Sequence, residues 1–242
     1  MKIFDLHTHV LPGVDDGAQT MAESMAMLHN AAASNVLALV ATPHCNTVLG
    51  YANYRSAEMI QRFRNLFQAA EAEGITIKLL MGMEAHATEE LPQLLRQGKL
   101  IPLNGSRYLL TEFHPHHSRA YMREMLGQLL AEGCVPLIAH PERYGAVRED
   151  PACMEEFFQM GCHAQITAGS IMGKFGRDVK QAADWLLTRD LVACVASDAH
   201  GIRLRTNFLG DVYTHLELRY SQSYARMLLW DNPLRICQDQ TL

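Results

Sequence analysis

Along the chain, short apolar runs of strand length alternate with longer stretches whose apolar residues recur at helical spacing. Strand-type runs fall at residues 3–6, 36–41, 77–81, 108–112, 135–139, 164–167 and 192–197. Between them, residues 20–33, 54–72, 89–96, 119–131, 151–160 and 177–188 carry apolar positions at i, i+3, i+4 and i+7. Met59, Phe63, Leu66, Phe67 and Ala70 show that spacing and predict an amphipathic helix. Gly74, Gly133 and Gly161 each separate such a helix from the next strand, where a left-handed C-terminal cap is expected. Alternation of this kind predicts a parallel sheet. The short continuous apolar strands predict burial on both faces. Residues 206–242 read as further helices packed on the outside. No repeat or linker-like tract divides the chain, so residues 1–242 are expected to form a single domain.

Polar residues interrupt this pattern at the strand ends. His7 and His9 close the first run, His44 follows the second, Glu84 the third, Glu112 the fourth, His140 the fifth, and Asp198 and His200 the last. An open sheet brings few strands to one crevice, whereas a closed barrel brings all of them to one mouth. The spacing therefore predicts a distorted seven-stranded (β/α)7 TIM-like barrel, with these side chains gathered at the C-terminal ends of its strands. Converging imidazoles and carboxylates without a thiolate describe a multi-metal hydrolytic site. A nitrogen and oxygen donor set suits Mn, Fe or Zn, with Mg as a further option, and disfavours copper(I) or an iron–sulfur cluster.

Composition narrows the function classes. The 242 residues are 48% hydrophobic with a formal net charge of −5. That suits one full core, and it argues against a general nucleic-acid binder, which needs a basic face. No stretch is apolar enough to span a bilayer. The first strand starts within a few residues of Met1, so a cytoplasmic protein without a signal peptide is expected. The six cysteines include no C-x-x-C pair and read as reduced core thiols. None has an arginine six residues on, which excludes a Cys-x5-Arg phosphatase. Gly169 to Lys174 is one residue short of a Walker A loop, and Phe175 stands where Ser or Thr is needed.

The run Asp5-Leu6-His7-Thr8-His9-Val10-Leu11-Pro12-Gly13-Val14-Asp15-Asp16-Gly17-Ala18 resembles the opening of the polymerase and histidinol phosphatase (PHP) superfamily. More narrowly it resembles the bacterial tyrosine-protein phosphatases of capsule and exopolysaccharide operons. Thr42-Pro43-His44, Leu103-Asn104 with Arg107-Tyr108, His140-Pro141-Glu142-Arg143, Ser197-Asp198-Ala199-His200 and Asn232-Pro233 extend the likeness over essentially the whole chain. The resemblance implies three divalent ions, with manganese the expected metal. His7, His9, Glu84 and Asp198 would hold the first; Glu84, Glu112 and His140 the second; Asp16, His44 and His200 the third. Spacing alone leaves Asp15 and Asp16 open, and the family match selects Asp16. Glu112 stands where many superfamily relatives have histidine, and the tyrosine-phosphatase branch has glutamate there too.

The expected activity is hydrolysis of phosphotyrosine in proteins by a metal-activated water. The expected partner is the tyrosine-rich tail of a bacterial tyrosine autokinase in polysaccharide export. Alternatives are a small-molecule phosphomonoesterase, such as a histidinol phosphatase, and a non-catalytic metal-binding regulatory domain. Arg143 and Arg205 are the candidates for clamping phosphate, because guanidinium forks match its geometry. Arg203 is a lesser candidate for the same role, with a surface charge as the alternative; Lys174 reads as a surface charge, and His114, His116 and His117 as a polar loop. His86 lies two residues past Glu84 and is a candidate to support a ligand. Asp5 is expected either to orient a ligand imidazole or to satisfy backbone donors.

Overall fold

The computed structural model describes residues 1–242. The strands are β1 (Ile3–Thr8), β2 (Val36–Ala41), β3 (His44–Cys45), β4 (Lys78–Met81), β5 (Glu84–His86), β6 (Tyr108–Glu112), β7 (Val135–Ala139), β8 (His163–Thr167) and β9 (Cys194–Ala196). All pairings between them are parallel, in two sheets of order β1-β2-β4 and β3-β5-β6-β7-β8-β9.

Nine strands therefore stand where seven were expected. The difference is two interruptions. Thr42-Pro43 splits β2 from β3, where proline lacks the donor a central ladder needs. Gly82-Met83 splits β4 from β5, and a Cβ on Gly82 would lie 2.9 Å from a Leu103 methyl. Hydrogen bonds bridge both gaps: Gly82 N donates to Ala41 O at 2.9 Å, and Glu84 N to Pro43 O at 3.1 Å. At the other edge β1 meets the segment after β9. His9 N donates to Ala199 O and Asp198 N to His7 O, each at 2.9 Å.

The helices follow the amphipathic stretches with shorter ends. They are α1 (Met21–Ala33), α2 (Ala57–Ala72), α3 (Leu91–Arg96), α4 (Arg119–Ala131), α5 (Gly145–Glu149), α6 (Cys153–Gln159), α7 (Ala168–Ile171), α8 (Arg177–Leu187), α9 (Gly210–Arg219), α10 (Gln222–Arg226) and α11 (Asn232–Cys237). Thr20, Ser56 and Ser118 cap α1, α2 and α4 by accepting from a backbone N–H three residues on. The short helices α5 and α7 carry too little periodicity to be read from sequence.

Two apolar clusters lie on opposite faces of the strands. The larger joins residues such as Ile3, Leu39, Leu109 and Ile138 to the surrounding helices. The smaller takes alternate strand residues, Phe4 and Leu6, Ala38 and Val40, Tyr108 and Leu110, Leu137 and Ala139, together with Ile236 and Cys237 of α11. The C-terminal region thus departs from the expected outer layer. Helix α9 packs outside through Val212 and Leu216, but α11 covers the inner cluster. Side chains near the strand starts tie the C-terminus there. Asn104 Nδ2 donates to Cys237 O, Arg107 N to Asp239 Oδ1, and Asn232 Nδ2 to Ala193 O. These bonds account for the Leu103-Asn104, Arg107 and Asn232 matches as structural ties, remote from the strand ends that carry the histidines.

Candidate metal centre

The strand ends opposite α11 bring the nine expected ligands together. Eight of them form three groups of donor atoms: His7, His9, Glu84 and Asp198; His9, Asp16, His44 and His200; and His44, Glu84 and Glu112. His140 is in none of these and joins through Glu84. Glu84 is the hub. Its Oε2 lies 3.2 Å from His7 Nε2, 3.3 Å from His9 Nε2 and 3.0 Å from His44 Nδ1, and its Oε1 lies 2.9 Å from His140 Nε2. His140 Nε2 is also 3.9 Å from Glu112 Oε1. Asp16 Oδ1 is 3.4 Å from both His44 Nε2 and His200 Nε2. Donors sharing an ion at about 2.1 Å stand roughly 3.0–3.4 Å apart. The separations of His7, His9 and His44 from Glu84, and of Asp16 from His44 and His200, therefore fit a divalent cation, while His140 and Glu112 stand wider apart.

The chain also leaves lone pairs for one. Glu84 Oε2, Asp198 Oδ1, His44 Nδ1 and His200 Nε2 are buried without a hydrogen-bond partner, a costly state unless a ligand satisfies them. The carboxylates are held ionised. Burial raises Glu84 and Asp198, but the facing imidazoles outweigh it and hold both well below their ordinary range. The hydrogen bond to His200 lowers Asp16. Ionised Glu84, Asp198 and Asp16 facing a set of imidazole nitrogens form a cation site in charge as well as in donor type.

The ring orientations come from a surrounding layer that spacing does not reveal. Gln165 Oε1 accepts from His7 Nδ1 at 2.8 Å, and Asp15 Oδ2 from His9 Nδ1 at 2.9 Å, leaving each Nε2 for the centre. Asp15 also accepts from the backbone N–H groups of Gly17 and His44. It is thus a buried support, and Asp16 is the residue that faces His44 and His200. Glu112 is held by His86 Nδ1 at 3.1 Å and Asn46 Nδ2 at 3.5 Å. Asp5 does not touch an imidazole. Its Oδ1 accepts from the backbone N–H of Ser197 and His7, so of its two expected roles the structure shows the backbone one.

Arg143 and Arg205 converge on one atom. Asp198 Oδ2 accepts from Arg143 Nη1 at 2.7 Å and lies 2.6 Å from Arg205 Nη2. Arg143 Nη2 donates to Thr167 Oγ1 at 3.0 Å, and its guanidinium lies 4.2 Å from the centre of the Phe175 ring. Buried Glu142 accepts from Thr167 N and Oγ1. Glu142, Thr167, Gln165 and Phe175 were not singled out as site residues from sequence. The signal was present at β8, where His163, Gln165 and Thr167 alternate with Ala164 and Ile166 and so share a face. Phe175 has no such signal: its ring is seated because Gly169 lacks a Cβ, which would lie 2.6 Å from it. Lys174 and Arg203 are exposed, and His114, His116 and His117 join none of the donor groups.

The parallel α/β scaffold is shared with other solved proteins. The phosphotriesterase homology protein of Escherichia coli superposes with a TM-score of 0.63 at 12% identity over 98% of this chain and 99% of that one, a likeness of fold alone. The family model described as capsular polysaccharide synthesis, CpsB/CapC, matches residues 3–238, and the chain belongs to that family. It is 32% identical to the tyrosine-protein phosphatase YwqE of Bacillus subtilis over 99% of this chain and 93% of that protein. It is 30% identical to the tyrosine-protein phosphatase CpsB of Streptococcus pneumoniae over 99% and 100% respectively. A crystal structure from work on YwqE and CpsB as metal-dependent tyrosine phosphatases superposes with a TM-score of 0.91, at 31% identity over 99% of this chain and 96% of that chain.

Proposed function

We propose that this chain is a metal-dependent protein-tyrosine phosphatase, a phosphoric monoester hydrolase acting on phosphotyrosine in proteins. The observation that carries the reading is the gathering of nine imidazole and carboxylate side chains, with unpartnered buried lone pairs, in a chain about 30% identical over its full length to curated tyrosine-protein phosphatases.

In this reading the seven chain passes form one distorted ring, with β2–β3 and β4–β5 each counted as a single pass. His7, His9, Glu84 and Asp198 hold one ion, Glu84, Glu112 and His140 a second, and Asp16, His44 and His200 a third, with manganese the favoured metal. When bound, the ions supply Lewis-acid neutralisation of the phosphoryl oxygens and a water ionised near neutral pH. The remaining work falls to the side chains. Arg143 and Arg205 are two guanidiniums on one carboxylate oxygen, and each has further donors to offer a phosphate. Thr167 and the Phe175 face hold the Arg143 plane. Gln165 and Asp15 fix the His7 and His9 tautomers. A phenolate leaves with a pKa of about 10, so a phosphotyrosine ester needs less help from a dedicated acid than an alkyl phosphate does. The substrate protein is read as the tyrosine-rich tail of an autokinase in capsule or exopolysaccharide synthesis, which places the enzyme in the cytoplasm. No helix is long and apolar enough to cross a membrane.

The test is phosphate release from a phosphotyrosine peptide, beside histidinol phosphate, by metal-stripped enzyme re-supplied with Mn²⁺. Release mainly from the peptide is expected. His140→Ala and Asp198→Ala should lose turnover with the fold retained, and Arg205→Ala should mainly raise KM. Near-normal turnover by the first two variants, or release mainly from histidinol phosphate, would overturn the reading.

A further inference from the structure

Beside the metal centre a groove of about 650 Å³ runs between the first half of α1 and residues 201–205. Ala18, Ala22 and Ala26 with Met27 form one wall, and Ile202 and Leu204 the other. It opens at one end on His200 and Arg205, which belong to the site. Ile202 and Leu204 are 51% and 87% exposed, so two aliphatic side chains stand in water next to a cleft of small apolar residues. Nothing in the fold of this chain covers them. Arg203 and Arg205 lie on the same loop and Glu23 on the helix opposite, so charge of both signs edges an apolar floor.

We infer that this groove binds the residues flanking phosphotyrosine in the substrate peptide, with aliphatic side chains inserted between α1 and Leu204. The inference rests on the phosphotyrosine reading and adds a substrate preference to it. Continuity with the site identifies the occupant. An extended chain advances about 3.3–3.6 Å per residue, so residues next to a tyrosine whose phosphate meets Arg205 fall within the groove. A small phosphate ester has no such residues and leaves the groove empty. The shape suits an extended segment: small residues on α1 let a backbone approach, and the exposed aliphatics opposite offer apolar surface to its side chains.

The experiment compares kcat/KM on three substrates with Mn²⁺-loaded enzyme: a phosphotyrosine peptide with leucine and valine flanks, the same peptide with glycine and serine flanks, and p-nitrophenyl phosphate. Wild type should prefer the aliphatic peptide. Leu204→Asp should lose about tenfold on it through KM, the scale of one buried aliphatic side chain, and change p-nitrophenyl phosphate turnover by less than about twofold. Ala22→Trp, which fills the groove from the helix side, should do the same and guards against a loop effect confined to one variant. Equal losses on all three substrates would mean that the variants disturb the metal centre, and would overturn the inference. So would indifference of wild type to the flanks, or a dimer in sedimentation that Leu204→Asp dissociates, which would assign the patch to a second copy of the chain. Turnover of p-nitrophenyl phosphate with neither peptide cleaved would overturn the phosphotyrosine reading itself, and the groove's role with it.

Discussion

Asp15 is buried, with its carboxylate spent on His9 Nδ1 and on the backbone N–H groups of Gly17 and His44. Asp16, one position on, keeps a half-exposed side chain turned toward His44 and His200. The choice between them is a matter of which way the loop faces, and a linear string of Asp-Asp carries no such information. The cysteines behave the other way, since their composition and surroundings suffice. Burial pushes Cys45 and Cys153 up to about 11, and Cys134, Cys162 and Cys237 up to about 12. A raised thiol stays protonated until the pH approaches its folded value, and only the thiolate is nucleophilic. At pH 8 the native protein should therefore react slowly with Ellman's reagent at all six thiols, and all six should titrate at once in guanidinium chloride. One native thiol reacting as fast as free cysteine would contradict this.

At the scale of elements, the site depends on turns that bend ligands inward. His140 (φ 34°) and Asp198 (φ 50°) lie in the left-handed region, which ordinary side chains avoid at a cost of about 1–3 kcal/mol. His140 follows directly on β7 and Asp198 stands two residues past β9, and hydrogen bonds to Glu84 and from Arg143 hold their side chains there. The loop between β1 and α1 is held by a close approach. A Cβ on Gly17 would overlap the carbonyl oxygen and Cβ of His9, and Ala18 N donates to His9 O at 3.0 Å. Gly17→Ala must push this loop away and carry Asp15 off His9 and Asp16 off His44. The expected result is a loss of roughly 10²-fold in kcat/KM, as for a displacement of about 1 Å at a catalytic centre, with circular dichroism unchanged. Activity within twofold of wild type would refute the argument. The strand–helix alternation, by contrast, was legible, because buried parallel strands must be apolar and outer helices must be amphipathic. Their ends were less so. Helix α2 begins at Ala57 rather than at Tyr54 because Ser56 supplies the cap.

The whole molecule places its two kinds of core at opposite ends of the strands. Apolar side chains and α11 seal the starts, and carboxylates and imidazoles crowd the finishes. Glu84 Oε2, Asp198 Oδ1, His44 Nδ1 and His200 Nε2 are buried without a hydrogen-bond partner, so ions that bind only the folded state and satisfy them should stabilise it strongly. At a free metal concentration about 1,000 times Kd the gain is roughly 4 kcal/mol. For a domain of this size that corresponds to roughly 8–16 °C in Tm. Chelation should lower Tm by that order and Mn²⁺ should restore it, as followed by calorimetry. A Tm indifferent to chelator would indicate that the cluster does not hold metal in the folded protein.

The sequence by itself determined the alternation of elements, the apolar strands, the acidic and imidazole ligands at their ends and the likeness to metal-dependent phosphatases. Each of these is a local pattern, set by periodicity or by residue type within a few positions of a strand end. Tertiary structure alone decided what depends on residues far apart in the chain. It set Gln165 on His7, both arginines on Asp198 Oδ2, Phe175 over Arg143, and α11 beneath the inner cluster. The reason is physical. A side chain's chemistry is written at its own position, whereas its orientation depends on the partners that folding brings to it.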